Sequence, residues 1–75
     1  MAEREIIFEM RRVGSVTKAS AIDVETGVEV SIMGPATAPE LALREAARRK
    51  LAYVLKRRQK AAERERIKGG RGTLV

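Results

Sequence analysis

The side chains with the greatest capacity for chemistry in this sequence are cations, and they are concentrated in its second half. Residues 1–40 hold four Lys or Arg against seven Asp or Glu, a net charge of −3, whereas residues 41–75 hold twelve against three, a net charge of +9. A dense positive charge attracts polyanions, either nucleic acid or an acidic protein. The cations predicted to contact such a partner are Arg48, Arg49, Lys56, Arg57, Arg58, Lys60 and Arg64.

The remaining inventory of chemically active side chains is small. The chain contains neither cysteine nor histidine, so thiolate and imidazole chemistry and the commonest zinc ligands are missing. Asp23 and Glu25 flank a predicted turn, where an aspartate usually bonds nearby backbone. A carboxylate pair would also need a concave, desolvated pocket, for which so short a chain has little room. We therefore expect no enzyme activity, no cofactor, no metal site and no small-molecule substrate.

The small number of aromatic and large apolar residues limits the partners that the basic helix can bind and the cellular location of the chain. Phe8 and Tyr53 are the only aromatic residues, so recognition of single-stranded nucleic acid by stacking is disfavoured. A helix lying on a membrane needs large apolar anchors, and residues 56–68 supply two alanines and one isoleucine. The amino-terminal residues lack the apolar run of a signal peptide. We expect no membrane association and a cytoplasmic location.

The cations belong to one long helix, predicted over residues 37–68. Thr37 and Glu40 have the spacing of a capping box at its start, and Gly69-Gly70 predicts its end. Two ion pairs with the acid first, Glu40–Arg44 and Glu45–Arg49, should stabilise it. Apolar residues at spacings of three and four form one buried stripe. The stripe consists of Leu43, Ala47, Leu51, Val54 and Leu55.

Residues 5–33 have the alternation of three strands in an antiparallel meander. Turns are expected at residues 14–15 and 24–27, each with a glycine that can adopt positive φ. These turns pair Val13 with Val16 and Asp23 with Val28. Both registers then place one apolar set on the same face: Ile6, Phe8, Met10, Ala19, Ala21, Val28, Val30 and Ile32. The predicted fold class is α+β, a three-stranded meander with one C-terminal helix packed on this face.

The opposite, open face of the sheet is a candidate interface between copies of the chain. A core of this size barely offsets chain entropy, so burial against a second copy would help. The apolar residues predicted on the open face are Ile7, Val13, Val16, Ile22 and Met33.

These observations lead to two functional hypotheses for one domain. The domain is expected over residues 1–58, with a basic helical extension and a flexible tail over residues 59–75. The first hypothesis is a small interaction module whose basic C-terminal helix binds a polyanion, with nucleic acid the favoured partner. The alternative is a homo-oligomeric structural or accessory protein that uses the open sheet face.

Four short segments resemble a family of small bacterial proteins of uncharacterised function, over residues 5 to about 58. The resemblance implies the strand–strand–strand–helix order and no activity. The segments are Phe8-Glu9-Met10-Arg11-Arg12-Val13-Gly14, Ala21-Ile22-Asp23, Thr26-Gly27-Val28-Glu29-Val30 and Gly34-Pro35.

At the level of fold alone, the arrangement is similar to the DNA-binding domains of plant GCC-box factors and some transposon integrases. Those domains place the sheet face away from the helix in the major groove. Here that face carries Glu9 and Glu29 beside Arg11 and Lys18. The two carboxylates argue against the same binding mode, and a shared fold does not transfer function.

Overall fold

The structure is a computed structural model that describes the backbone of residues 4–74 and the side chains of residues 4–67. Strands β1 (Ile6–Val13), β2 (Val16–Asp23) and β3 (Glu29–Pro35) are followed by helix α1 (Glu40–Leu74). The strands form one antiparallel sheet in the order β1-β2-β3. Helix α1 packs on one face of this sheet, mainly against β2 and β3. The predicted α+β fold class is confirmed.

Both hairpin registers predicted from the turns are confirmed. Val13 lies opposite Val16, and the backbone N–H of Asp23 donates to the carbonyl of Val28 at 2.9 Å. Gly14 and Gly27 have φ values of 63° and 77°, as the two turns require. The remaining predicted neighbours are also observed: Phe8 with Ala21, Met10 with Ala19, Ala21 with Val30, and Ala19 with Ile32.

The core lies where the alanines of β2 meet the apolar stripe of α1. Ala19, Ala21, Ala47 and Leu51 are fully buried, because the small side chains of the three alanines let the helix axis approach the sheet closely. All eight predicted sheet residues and all five predicted helix residues belong to the core or pack against it. Ala38, which the sequence pattern does not single out, also packs there.

Strand β3 is longer than predicted, because Gly34 and Pro35 continue it instead of ending it. Thr17 pairs with Gly34, and Val16 pairs with Pro35. A Cβ atom at Gly34 would lie 2.6 Å from Cδ2 of Leu43, well inside van der Waals contact. Gly34 therefore serves the close packing of helix on strand, whereas Gly14 and Gly27 serve turns.

The helix begins later than the capping box predicts. Its first i to i−4 hydrogen bond runs from the N–H of Leu43 to the carbonyl of Pro39, so Pro39 occupies the N-cap position. A proline disfavours helical backbone in the residue before it, which keeps Ala38 out of the helix. Among the described residues Thr37 donates and accepts no side-chain hydrogen bond, so the predicted capping box is wrong.

The helix also ends later than predicted, since Gly69 and Gly70 lie inside α1. A glycine in a helix interior costs about 1 kcal/mol relative to alanine, but its backbone can still adopt helical dihedral angles. The predicted extension and tail over residues 59–75 are helical as far as Leu74, and Val75 lies outside the described residues. The division at residue 58 stays a prediction.

The long helix determines the shape of the molecule, which measures 58 × 26 × 15 Å along its principal axes. Thirty-five helical residues span about 50 Å at 1.5 Å each. The sheet covers only the first half of this length, so the second half projects. The described part of α1 contains no apolar stretch long enough to cross a membrane.

Candidate polyanion-binding surface

All seven cations predicted to bind a polyanion are solvent-exposed, but they do not share one face of α1. Successive residues of a helix are rotated by about 100°, so the basic run at residues 56–60 is distributed around the axis. Arg48, Arg49, Lys56 and Arg58 line a groove between the helix and the sheet. Arg57 does not line the groove, and neither do Lys60 and Arg64, which lie on the projecting half.

Several cations are occupied by contacts within the chain that sequence spacing does not predict. Arg48 pairs with Glu45 at 3.0 Å, in place of the predicted Glu45–Arg49 pair. The guanidinium of Arg44 lies 4.8 Å from the Phe8 ring centroid, and no Glu40–Arg44 pair forms among the described residues. Lys50 donates to the carbonyl of Ser31 at 2.9 Å. Both predicted helix ion pairs are therefore wrong.

Arg57 contacts the exposed Tyr53 one turn earlier. Its guanidinium donates to the phenol oxygen at 3.2 Å and lies 5.8 Å from the ring centroid. In the described part of the chain, ion pairs engage only Arg4 and Arg48. Arg49, Lys56, Arg58, Lys60 and Arg64 consequently present charge that an external anion can neutralise.

The groove beside α1 has a volume of about 770 Å³ and lies at the end of the sheet where β1 begins. Its floor is aliphatic, and its rim is cationic on both sides. Sequence reasoning missed this groove, although the helix residues lining it recur at spacings of three and four, which is a detectable signal. The helix side is lined by Glu45, Arg48, Arg49, Leu51, Ala52, Leu55, Lys56, Arg58 and Gln59, and the sheet side by Arg4, Ile6 and Thr26.

Asp23 forms a polar clamp beside this groove and is fully buried at 0% exposure. Its Oδ2 accepts hydrogen bonds from the Thr26 hydroxyl at 2.6 Å, the Thr26 backbone N–H at 3.1 Å and Arg4 at 2.9 Å. The Thr26 hydroxyl hydrogen bond, helped by its N–H and by Arg4, lowers the pKa of Asp23 despite burial. The prediction that Asp23 bonds its own turn is confirmed, but its burial was missed.

The five apolar residues predicted on the open sheet face do lie on the face away from α1, in two separate places. Ile7 and Ile22 are paired at one end, and Val13 and Val16 are paired at the other. Met33 lies opposite Lys18, next to the second pair. Between the two ends are Glu9, Ser20 and Ser31, so the face is not one continuous apolar patch.

The described residues bring few chemically active side chains together. No group of three or more carboxylate, cysteine or histidine side chains comes together there as a metal site would require. The polar side chains that do converge, Arg4, Asp23 and Thr26, bond through Oδ2 of Asp23 and hold the β2–β3 turn, whereas Oδ1 of Asp23 is buried without a hydrogen-bond partner among the described residues. The remaining cationic side chains can offer hydrogen bonds and charge to an anion.

Comparison with known protein families matches residues 3–58 to the family described as a domain of unknown function, DUF6898. No curated protein matches the chain. No solved structure matches it either. The matched range contains the whole sheet and the part of α1 that covers it, and residues 59–74 of the helix lie beyond it. Because the match spans more than half of the chain, this protein belongs to the DUF6898 family.

Proposed function

We propose that this protein is a small interaction module whose projecting basic helix binds a polyanion, with duplex nucleic acid as the partner. The observation that carries the proposal is the projection of α1 past the sheet with its cations exposed. Every described side chain from Lys56 to Ile67 is solvent-exposed, and this stretch contains six Lys or Arg against two Glu. A helix about 10–12 Å wide with its side chains fits the major groove.

The binding mechanism is charge neutralisation along the phosphate backbone. Each lysine or arginine that contacts a phosphate releases condensed counterions, and this release supplies the affinity without reading sequence. Lys60 and Arg64 are one turn apart on the projecting half, at a spacing that places them on the same face. Neither has an ion-pair partner among the described residues.

Charge reversal at two places distinguishes this helix from the general positive charge of the chain. We expect Lys60→Glu with Arg64→Glu to weaken binding of a labelled 20-base-pair DNA duplex by at least about tenfold. The matched control is Arg11→Glu with Lys18→Glu, which changes net charge equally on the open sheet face. Fluorescence anisotropy should show the control within about threefold of the wild type, since its cations lie away from α1. Equal losses in both variants would contradict the proposal.

A second candidate function is supported by the exposure of the open sheet face. Val13 and Met33 are 65% and 69% exposed near one end, and Ile7 is 48% exposed at the other. Apolar side chains this exposed on a small domain are candidates for burial against a second copy. The two ends are separated by Glu9, Ser20 and Ser31, so a partner sheet would have to contact both across a polar centre.

A further inference from the structure

We propose that the groove between α1 and the start of β1 is a docking site for an acidic peptide segment that carries aliphatic side chains. This site shares Lys56, Arg58 and Gln59 with the basic part of the helix, but it lies on the side that faces the sheet and does not depend on the proposed nucleic-acid binding. Its position follows from how the helix lies on the sheet. Because α1 packs mainly on β2 and β3, the inner face of β1 is only partly covered, and Ile6 is half-buried.

The charge of the groove specifies an acidic occupant. Among the residues that the structure describes, five cations and a single carboxylate line it: Arg4, Arg48, Arg49, Lys56, Arg58 and Glu45. Glu45 is already paired with Arg48, and Arg4 is paired with Asp23. Arg49, Lys56 and Arg58 have no acidic partner within the described part of the chain. Three cations along one concave wall focus positive potential into the groove, which favours carboxylates entering it.

The floor of the groove specifies aliphatic side chains between those carboxylates. Ile6, Leu51, Ala52 and Leu55 line it, and no aromatic residue does. Nucleic-acid bases stack on aromatic rings. A nucleic acid in this groove would therefore have its charge neutralised, but its bases would find no aromatic side chain to stack on. Leucine or isoleucine side chains would instead bury apolar surface against Ile6 and Leu55, at roughly 25 cal/mol for each Å². The lining therefore favours a peptide over a nucleic acid.

The size of the groove also suits a short peptide. A volume of about 770 Å³ lies within the range of ligand sites, about 300–1,000 Å³, and can receive several side chains. Its open side allows a continuous chain to pass through. Gln59 at the margin can donate hydrogen bonds to the peptide backbone.

Two synthetic peptides of equal length separate the contribution of charge from that of the floor. One alternates Glu and Leu, and the other is polyglutamate. At about 0.15 M salt, where surface charges more than about 8 Å apart are largely screened, we expect the Glu–Leu peptide to bind the full chain at least about tenfold more tightly. Polyglutamate binding as tightly as the Glu–Leu peptide would overturn the proposal, since the floor would then contribute nothing.

A substitution in the groove locates the binding. Ala52 is exposed and lines the groove, so Ala52→Glu adds a repelling carboxylate without disturbing the core. Ala42→Glu is the matched control, because Ala42 is exposed on the same helix and does not line the groove. We expect about a tenfold loss of Glu–Leu peptide affinity in the first variant and less than about a twofold change in the second. Equal losses in the two variants would overturn the proposal.

The same variants distinguish peptide docking from nucleic-acid binding. Lys60→Glu with Arg64→Glu should leave Glu–Leu peptide affinity within about threefold of the wild type, because neither residue lines the groove. Methyl chemical shifts of Ile6 and Leu55 should move on addition of the peptide. Absence of duplex binding by the wild-type chain, with peptide binding retained, would rule out the proposed function and leave the proposed docking site unaffected. Unchanged methyl shifts at saturating peptide would overturn the site.

Discussion

Among single residues, Asp23 makes the most concentrated set of polar contacts in the described part of the chain. One carboxylate oxygen joins the amino-terminal arm, through Arg4, to the β2–β3 turn, through Thr26. The registers predicted from the turns already place Asp23 on the helix-covered face, opposite Ile6, so its burial could have been predicted from the sequence. The identity of its partners could not, since Arg4 lies outside every predicted element.

The lowered pKa of Asp23 predicts loss of stability in acid. The carboxylate stabilises the fold fully above its unfolded-state pKa of about 4, and this contribution disappears as pH falls through the lower folded-state pKa. Urea unfolding from about pH 5 towards pH 2 should therefore show a falling midpoint that is shallower in Asp23→Asn. Glu25→Gln, in the same turn, is the control and should retain the wild-type slope. A wild-type slope in Asp23→Asn would refute this role.

At the scale of elements, the junction between β3 and α1 depends on a missing side chain. Gly34 has no positive φ, so neither turn geometry nor backbone strain requires glycine there. Its role becomes visible only when Leu43 is placed against it in three dimensions. Sequence alone indicates a strand-breaking Gly-Pro at this point, because local propensity cannot report the contact with a helix nine residues later.

A double-mutant cycle measures this contact. Gly34→Ala should destabilise the wild type by about 1–3 kcal/mol, because the new methyl group overlaps Leu43 in a packed core. In the Leu43→Ala background the same methyl group enters vacated space, so its cost should fall to near zero. Chemical denaturation of the four proteins gives both values. An equal cost in both backgrounds would show that Leu43 is not the reason for glycine.

For helix α1, the sequence predicts the buried side better than it predicts the two ends. Its buried stripe was predictable, because apolar residues that recur at the helical period of 3.6 residues lie on one side of the helix. Its ends were not. The helix begins after Pro39, which occupies the N-cap position in place of Thr37, and Gly69 weakens the helix without ending it. The sequence also gives the positions of the seven cations along the helix. It does not give the side of the helix on which each lies relative to the sheet, because that requires knowing which side of α1 the sheet covers.

At the scale of the whole molecule, the open sheet face predicts self-association if the second candidate function holds. Ile7→Asp with Ile22→Asp should then convert an oligomer to a monomer while leaving the circular dichroism spectrum unchanged. Val24→Asp with Leu41→Asp is the matched control, since both residues are exposed and outside that face. Sedimentation velocity provides the readout. A wild-type protein that sediments as a monomer at high concentration would eliminate this candidate.

In the molecule as a whole, the half that forms the sheet is acidic, and the helix that extends past the sheet is basic. We propose that this projecting helix contacts phosphates. The most direct test is the salt dependence of duplex DNA binding by the full chain. Neutralisation of three or more phosphates predicts a plot of log affinity against log salt with a slope of about −3 or steeper. A slope near zero, or no binding at low salt, would contradict the central claim.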